Sequence, residues 1–130
     1  MNTRIEVLMI GRPSRFRDSI HLLLTSISPI EEISLADDVE SALEMKETPI
    51  VGVMDSDVGG PCLPAAINKI KTAWPQTGLI ILVEDELEFQ VALAAGGDVL
   101  LRKGFPAAKF TEAVEALLSD QFRRKTHAHF

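Results

Sequence analysis

The sequence contains no tyrosine and a single tryptophan, Trp74, so it offers few aromatic side chains on which nucleic-acid bases could stack. Its formal net charge of −6 also disfavours a nucleic-acid-binding surface on this domain. No apolar run approaches the length of a membrane span, and the polar residues 1–6 are not typical of a signal peptide. We therefore expect a cytoplasmic domain that contacts neither nucleic acid nor membrane directly.

Cysteine is equally scarce. The single cysteine, Cys62, excludes an internal disulfide bond, which agrees with a reducing compartment. A catalytic Cys62 would need a histidine partner, but His21 lies within a helical pattern and His127 and His129 lie in the last residues of the sequence. We expect Cys62 to be a small, half-buried residue near a loop, and no other nucleophile–base pair indicates an independent enzyme.

The length of 130 residues suits one compact domain with its own core. Apolar runs predict five buried strands, at residues 5–10, 32–36, 50–54, 79–83 and 98–102. Apolar residues at helical spacing predict five helices between and after them, at residues 15–27, 39–46, 63–74, 89–95 and 106–120. This alternation predicts an α/β fold, with a parallel sheet that has right-handed crossovers and helices on both faces.

The domain boundary is predicted from the last helix. Its apolar spacing fades near residue 120, and the residues that follow are basic and without a strong period. We predict one domain over residues 1–120 and a basic tail or linker at 121–130. The sequence is compatible with a fragment of a longer regulator and with a complete protein, and residues 121–130 leave no room for a helix-turn-helix.

Helix starts and ends carry recognisable capping residues. Ser14 is a preferred N-cap for the first helix, and one of Asp37 and Asp38 is expected to cap the second rather than to bind a metal. Pro64 suits the first turn of the third helix, and Gly96 suits the end of the fourth.

The run at residues 50–54 stops at Asp55, which Asp57 and the glycines Gly59 and Gly60 follow closely. A carboxylate directly after a buried parallel strand lies at the carboxyl edge of the sheet, where open α/β folds bind ligands. Asp55 is therefore the first candidate functional residue.

Several stretches resemble a response-regulator receiver domain, and most closely the receiver half of helix-turn-helix transcriptional regulators. They lie in register over nearly the whole chain, at residues 7–10, 15–24, 36–43, 49–55, 74–75 and 95–103. The resemblance implies a flavodoxin-like (βα)5 doubly wound parallel sheet with strand order 2-1-3-4-5. It also implies two-component phosphorelay signalling, with a histidine kinase or an output domain as protein partner.

The resemblance gives Asp55 the position of the phosphorylated aspartate and Lys103 that of the family's lysine. It places Gly11 and Arg12 where the family has two acids that help to hold Mg²⁺, so the acid pair is degenerate. A glycine offers no side-chain ligand and an arginine stays positively charged, so Mg²⁺ binding is disfavoured and no metal or other cofactor is expected.

Two further departures concern positions that change conformation in the family. Val83 stands in place of a hydroxyl residue after the fourth strand, and Leu100 stands in place of an aromatic residue in the fifth. We interpret the chain as an atypical receiver domain in which Arg12 and Lys103 pair with Asp55 and hold one conformation without metal or phosphate.

Three alternatives stay open at this point. The chain could be a conventional phospho-accepting receiver, with Asp57, Glu84 and Asp85 as substitute metal ligands or with Arg12 in place of the metal. It could be a small-molecule-binding flavodoxin-like domain, although no Gly-x-Gly-x-x-Gly or Walker-type loop supports this. It could also form a homodimer through the face that its resemblance implies, at residues 89–95, 99–102 and 107–118.

Overall fold

The computed structural model describes residues 6–28 and 30–127. The predicted first residue of the first strand, Ile5, lies outside these residues, as do Pro29 and His129. Within the described residues, no helix is both long enough and apolar enough to cross a membrane.

Five parallel strands form one sheet in the order β2-β1-β3-β4-β5, which confirms the predicted fold. The strands are β1 (Glu6–Ile10), β2 (Glu32–Ala36), β3 (Val51–Asp55), β4 (Gly78–Val83) and β5 (Val99–Arg102). All residues of β1, β3 and β4 are buried, as expected of strands covered on both faces. The carboxyl ends of β1, β3, β4 and β5 therefore meet at one edge of the sheet.

The helices are α1 (Arg15–Thr25), α2 (Val39–Leu43), α3 (Leu63–Ala73), α4 (Glu86–Ala95) and α5 (Ala107–His127). Two short 3-10 turns, Ser56–Val58 and Gly60–Cys62, join β3 to α3.

The predicted caps of three helices are confirmed. Ser14 accepts a hydrogen bond from the backbone of Arg17, and Asp38 accepts one from the backbone of Ser41. Gly96 ends α4 with a φ of 108°, a left-handed conformation that favours glycine.

The helix bounds differ from the prediction by three residues or more at three places. Helix α2 ends at Leu43 rather than at residue 46, because the amides of Glu44 and Met45 bond carbonyls three residues back and tighten the last turn. Helix α4 begins at Glu86 rather than at residue 89, because Asp85 caps it. Helix α5 continues to residue 127, so the division after residue 120 lies inside a helix and stays a prediction.

The core consists of two clusters, one on each face of the sheet. On one face, α2, α3 and α4 cover Leu8, Ile10, Met54, Leu79, Ile81 and Val83. On the other, α1 and α5 cover Val7, Met9, Val51, Val53, Ile80 and Leu82. Each strand thus contributes alternate side chains to the two clusters, as the pleat requires.

Cys62 is exposed, so the expectation of a half-buried residue is wrong. It is the last residue of a 3-10 turn that precedes the first residue of α3, Leu63, whose own side chain is buried. The chain turns there, and Leu63 rather than Cys62 faces the core.

Candidate functional site

Asp55 is the last residue of β3 and is 6% exposed. Its Oδ1 accepts a hydrogen bond of 3.0 Å from the backbone of Asp57, so the side chain caps the 3-10 turn that follows. A buried carboxylate needs hydrogen-bond donors or an opposite charge, and one backbone amide supplies only part of this.

Lys103 supplies the opposite charge. It directly follows β5, and its backbone N–H donates to the carbonyl oxygen of Val83 at 2.8 Å, which fixes its backbone beside the end of β4. From there its Nζ lies 2.7 Å from Oδ1 of Asp55. The Nζ also lies 5.1 Å from the centre of the Phe16 ring, a distance typical of a cation–π contact.

Two further carboxylates surround the same ammonium group. The Nζ of Lys103 lies 2.8 Å from Oε2 of Glu84 and 3.7 Å from Oδ2 of Asp57. Glu84 and Asp57 are about half exposed or more, at 51% and 62%, whereas the side chain of Asp55 is 9% exposed. We call Asp55, Asp57, Glu84 and Lys103 the lysine cluster.

Burial of Lys103 is the largest single influence on its pKa and acts to lower it, because a low-dielectric surrounding disfavours the charged form. The hydrogen bonds to Asp55 and Glu84 and the charges of Asp55 and Asp57 together outweigh this, so the pKa of Lys103 lies above its ordinary value of 10.5. Lys103 is therefore an ammonium ion at neutral pH.

Gly11 lies beside Asp55, as predicted. A Cβ added at Gly11 would lie 3.5 Å from the Cβ of Asp55, so the ends of β1 and β3 are in contact at this point. The backbone N–H of Gly11 donates to the carbonyl oxygen of Ala36, which continues the pairing of β1 with β2 by one residue.

The structure contradicts the predicted pairing of Arg12 with Asp55. Arg12 is exposed, and no ion pair within 4.0 Å joins it to Asp55 in the part of the chain that the structure describes. The physical reason is that Gly11 completes the strand pairing, after which the chain leaves the sheet edge at Arg12 and Pro13, both of which are exposed, before α1 begins.

A different arginine, Arg17 of α1, covers the end of β1. Its Nη1 donates to the carbonyl oxygen of Gly11 at 3.0 Å and to Oδ1 of Asp37 at 2.6 Å. Its side chain is 14% exposed, and its Cδ would lie 3.9 Å from a Cβ at Gly11. Sequence reasoning missed this residue. The available signal was its position three residues after the N-cap Ser14, in the helical turn that directly follows the loop from β1.

Val83 and Leu100, the two positions that depart from the family's switch residues, lie on the face of the sheet that α3 and α4 cover. Val83 ends β4 and is fully buried, and Leu100 of β5 is partly buried. Both side chains contribute to the apolar core, and neither can donate or accept a hydrogen bond.

The residues considered as substitute metal ligands are otherwise engaged. Glu84 and Asp57 face Lys103, and Asp85 caps α4 by accepting a hydrogen bond of 2.9 Å from the backbone of Glu88. Among the described residues, no group of three or more histidine, cysteine, aspartate or glutamate side chains could hold a metal ion. The carboxylates of the lysine cluster face an ammonium ion, and Gly11 and Arg12 at the end of β1 add no carboxylate to them, so these residues do not fit a divalent cation.

Neither a protein-family model nor a curated protein matches the sequence. Solved structures do match. A two-component response regulator of the LuxR family from an Aurantimonas species has a TM-score of 0.78 and 20% identity, over 91% of this chain and 87% of that one. A CheY-like response regulator receiver domain protein from Methanospirillum hungatei has a TM-score of 0.80 and 17% identity, over 94% of this chain and 99% of that one.

NtrX from Brucella abortus matches with a TM-score of 0.83 and 19% identity, over 98% of this chain but 29% of its own. These similarities extend over most of the chain and share its strand order. The chain therefore has the fold of response-regulator receiver domains.

Proposed function

We propose that this chain is an atypical response-regulator receiver domain, which acts in the cytoplasm as a signalling and protein-interaction module in phosphorelay or transcriptional regulation. We propose further that it works without magnesium-dependent phosphorylation of Asp55 and has no catalytic activity of its own. The observation that carries this proposal is at the end of β1, where Gly11 has no side chain, Arg12 is exposed, and Nη1 of Arg17 donates to the Gly11 carbonyl oxygen at 3.0 Å.

The charges of the lysine cluster support a site without phosphate. Transfer of a phosphoryl group to a carboxylate requires cations that neutralise the phosphoryl oxygens. Here the single ammonium of Lys103 is shared by the carboxylates of Asp55, Asp57 and Glu84, which leaves an excess of two negative charges. An incoming phosphate would be repelled by this excess.

The residues at the end of β1 do not provide a metal site that would neutralise this excess of negative charge. Mg²⁺ prefers oxygen ligands, particularly carboxylates, in near-octahedral geometry. Gly11 has no side chain, Arg12 is exposed, and the guanidinium of Arg17 lies against the Gly11 carbonyl oxygen that could otherwise face a metal. These residues do not fit a magnesium ion, so we derive no step that passes through one.

Helix α4 offers a surface for a protein partner. Leu87 and Leu93 are 73% and 53% exposed, although both are large apolar side chains. A large apolar side chain that is left in water gains free energy when another protein covers it. We propose that this helix contributes to a surface for an output domain or for a second copy of the chain.

The proposal is tested by binding of beryllofluoride, a phosphate mimic, with and without Mg²⁺, followed by fluorine NMR. The matched control is Asp55→Asn, which keeps the size of the side chain but removes the carboxylate. We expect the wild type and the control to give the same spectrum in both conditions. Tight, magnesium-dependent binding that the control lacks would instead favour the alternative, a conventional receiver phosphorylated on Asp55 by a histidine kinase.

A second measurement tests phosphorylation directly, in case beryllofluoride does not bind for a reason unrelated to phosphorylation. The intact mass of the chain is measured after incubation with a small-molecule phosphoryl donor and Mg²⁺. We expect no added phosphoryl group on the wild type. A gain of one phosphoryl group that Asp55→Asn abolishes would overturn the proposal.

A further inference from the structure

Glu84 is the residue through which the lysine cluster reaches α4. It precedes the N-cap Asp85 by one position, and its Oε2 lies 2.8 Å from Lys103 Nζ. Its backbone N–H donates to Oε1 of Glu88 at 2.8 Å, and the backbone N–H of Glu88 donates to Oδ1 of Asp85 at 2.9 Å. Glu84 is thus fastened to the first turn of α4 at one end and to the ammonium at the other.

The same ammonium holds Asp55. Its distances to Asp55 Oδ1 and Glu84 Oε2 differ by no more than 0.1 Å, at 2.7 Å and 2.8 Å. An ammonium group has three N–H donors, so it can serve both carboxylates at once. The two carboxylates repel one another, and the cation that they share offsets this repulsion. A change of charge on Asp55 must therefore alter how firmly Lys103 holds Glu84.

Helix α4 contributes fewer buried residues to the core than α3 does, so its polar anchors matter. Of its ten residues, all described, Ala92 alone is buried, whereas the eleven residues of α3 include four buried ones. Phe89, Val91 and Ala95 also pack against the core, but as partly buried side chains that leave some of their apolar area in water. A helix with few buried apolar contacts opens locally at low cost, and contacts at its ends then decide how often it opens.

A hydroxyl at the end of β4 could link Asp55 to α4 directly, but this chain has none. The residue there is Val83, which is fully buried and has no polar side-chain atom. Lys103 is tied to that strand only by its backbone bond to the Val83 carbonyl oxygen. Within the described residues, the contact between Lys103 and Glu84 is therefore the polar side-chain connection between the lysine cluster and α4.

We propose that Glu84 couples the Asp55–Lys103 pair to the first turn of α4, so that a change of charge at Asp55 alters the stability of that turn. Glu84 is a positioning residue in this arrangement. The inference rests on the proposed function in one respect. Helix α4 carries the surface that we propose for a protein partner, so the coupling would act on that surface.

The test is backbone amide hydrogen exchange at Glu88 and Phe89, whose N–H groups bond Asp85. It uses the intact chain without Mg²⁺ or a phosphoryl donor. We expect Asp55→Asn to slow exchange at these two amides roughly two- to fivefold, the range that a partly exposed ion pair produces, because Glu84 then no longer shares the ammonium with a second carboxylate at Asp55. Glu84→Gln should quicken exchange, because it weakens the bond to Lys103.

The double variant decides whether the two residues act through one connection. With both substitutions present, exchange in the first turn should equal that of Glu84→Gln alone, because the route from Asp55 is already broken. The matched control is Asp57→Asn, which removes a carboxylate from the same cluster on a turn that is not bonded to α4. It should change exchange at the two amides less than Asp55→Asn does, because Asp57 lies 3.7 Å from the ammonium and its side chain is 62% exposed.

Three results would overturn the coupling. One is an unchanged exchange rate in Asp55→Asn. Another is a change of exchange rate on Asp55→Asn that is the same in the wild type and in the Glu84→Gln variant. The third is a uniform increase that includes the α3 amides, which would indicate general destabilisation. Phosphorylation of Asp55 in the mass measurement would instead contradict the proposed function and would leave the exchange result standing.

Discussion

The Nζ of Lys103 lies 2.7 Å from Oδ1 of Asp55, although Lys103 follows β5, Asp55 ends β3, and β4 lies between these two strands. Their side chains are 16% and 9% exposed. Water therefore screens the pair only weakly, and each group depends on the other for its opposite charge. Loss of either partner should have larger consequences than loss of a surface ion pair.

Lys103→Met should lower the free energy of unfolding by about 3 kcal/mol, because it leaves the largely buried carboxylate of Asp55 beside Asp57 and Glu84 without a cation. Urea unfolding at neutral pH measures the change. The matched control is Lys109→Met, a substitution at an exposed lysine of α5, which should alter stability by less than about 0.5 kcal/mol. Equal effects of the two substitutions would contradict the assigned role of the pair.

The stability that Lys103 contributes should depend on pH in a defined direction. Its pKa in the folded chain lies above 10.5, because the bonds and charges of Asp55, Glu84 and Asp57 outweigh burial. A raised lysine pKa means that the folded state binds the proton more tightly than the unfolded state does. The stability that the charged Lys103 contributes is therefore complete below pH 10.5 and is lost as the pH rises through the pKa of the folded state.

The measurement is the difference in unfolding free energy between the wild type and Lys103→Met as a function of pH. We expect a constant difference at neutral and mildly alkaline pH, and a decreasing one above 10.5. A difference that grows with alkaline pH would mean that the pKa of Lys103 is lowered instead.

A magnesium site should be recoverable by two substitutions at the end of β1. A Cβ at Gly11 would meet the terminal Cε of Met9 at 3.2 Å, which a flexible methionine can relieve, and would lie 3.5 Å from the Cβ of Asp55. We expect Gly11→Asp with Arg12→Asp to gain about tenfold or more in Mg²⁺ affinity, or roughly 1.4 kcal/mol.

Calorimetric titration with Mg²⁺ measures this gain. The matched control is Gly11→Asn with Arg12→Asn, which brings side chains of the same size without charge and should bind no better than the wild type. If the acidic pair binds no Mg²⁺ either, then the cation at Lys103, rather than the missing acids, is what excludes the metal.

Asp98 should be important for stability at the opposite edge of the sheet. Its Oδ2 accepts hydrogen bonds of 2.8 Å from the backbone of Leu79 and from Nζ of Lys71. Asp98→Ala leaves a partly buried amide of β4 without an acceptor and should cost about 1–3 kcal/mol. Asp98→Asn retains an acceptor oxygen and should cost less in the same denaturant experiment. Equal losses would mean that the charge alone matters.

The exposed leucines of α4 should promote self-association if that helix forms a dimer surface. Leu87→Lys with Leu93→Lys removes apolar area and adds charge, so any dimer should be weaker and should dissociate at a higher protein concentration in sedimentation experiments. Leu22→Lys on α1 is the matched control, because Leu22 is 72% exposed and Leu87 is 73% exposed. A wild type that stays monomeric at all concentrations would leave the surface to a different partner.

Much of the fold could be predicted because its signals are local. Five apolar runs indicate buried strands, and Ser14 and Asp38 bond amides three residues ahead in their own helices. The contact between Asp55 and Lys103 was also predictable, but through the resemblance, since nothing in residues 99–103 alone indicates that β5 lies next to β4.

The direction of individual side chains at the sheet edge was not predictable in the same way. Arg12 and Arg17 both lie near Gly11 in sequence, but loop geometry turns Arg12 outward and the first turn of α1 brings Arg17 back over the strand end. The role of Glu84 depends equally on a distance across two elements. Spacing along the chain contains little information about such contacts, because they form only when strands and helices pack.

The ammonium inside the lysine cluster belongs to the polypeptide itself. It is covalently tethered, so its effective concentration beside Asp55 is set by the fold and not by the surrounding solution. A dissociable counter-ion would leave the cluster in the presence of a chelator, but Lys103 cannot. The charge balance at Asp55 should therefore be the same in a chelating buffer as in one rich in divalent cations.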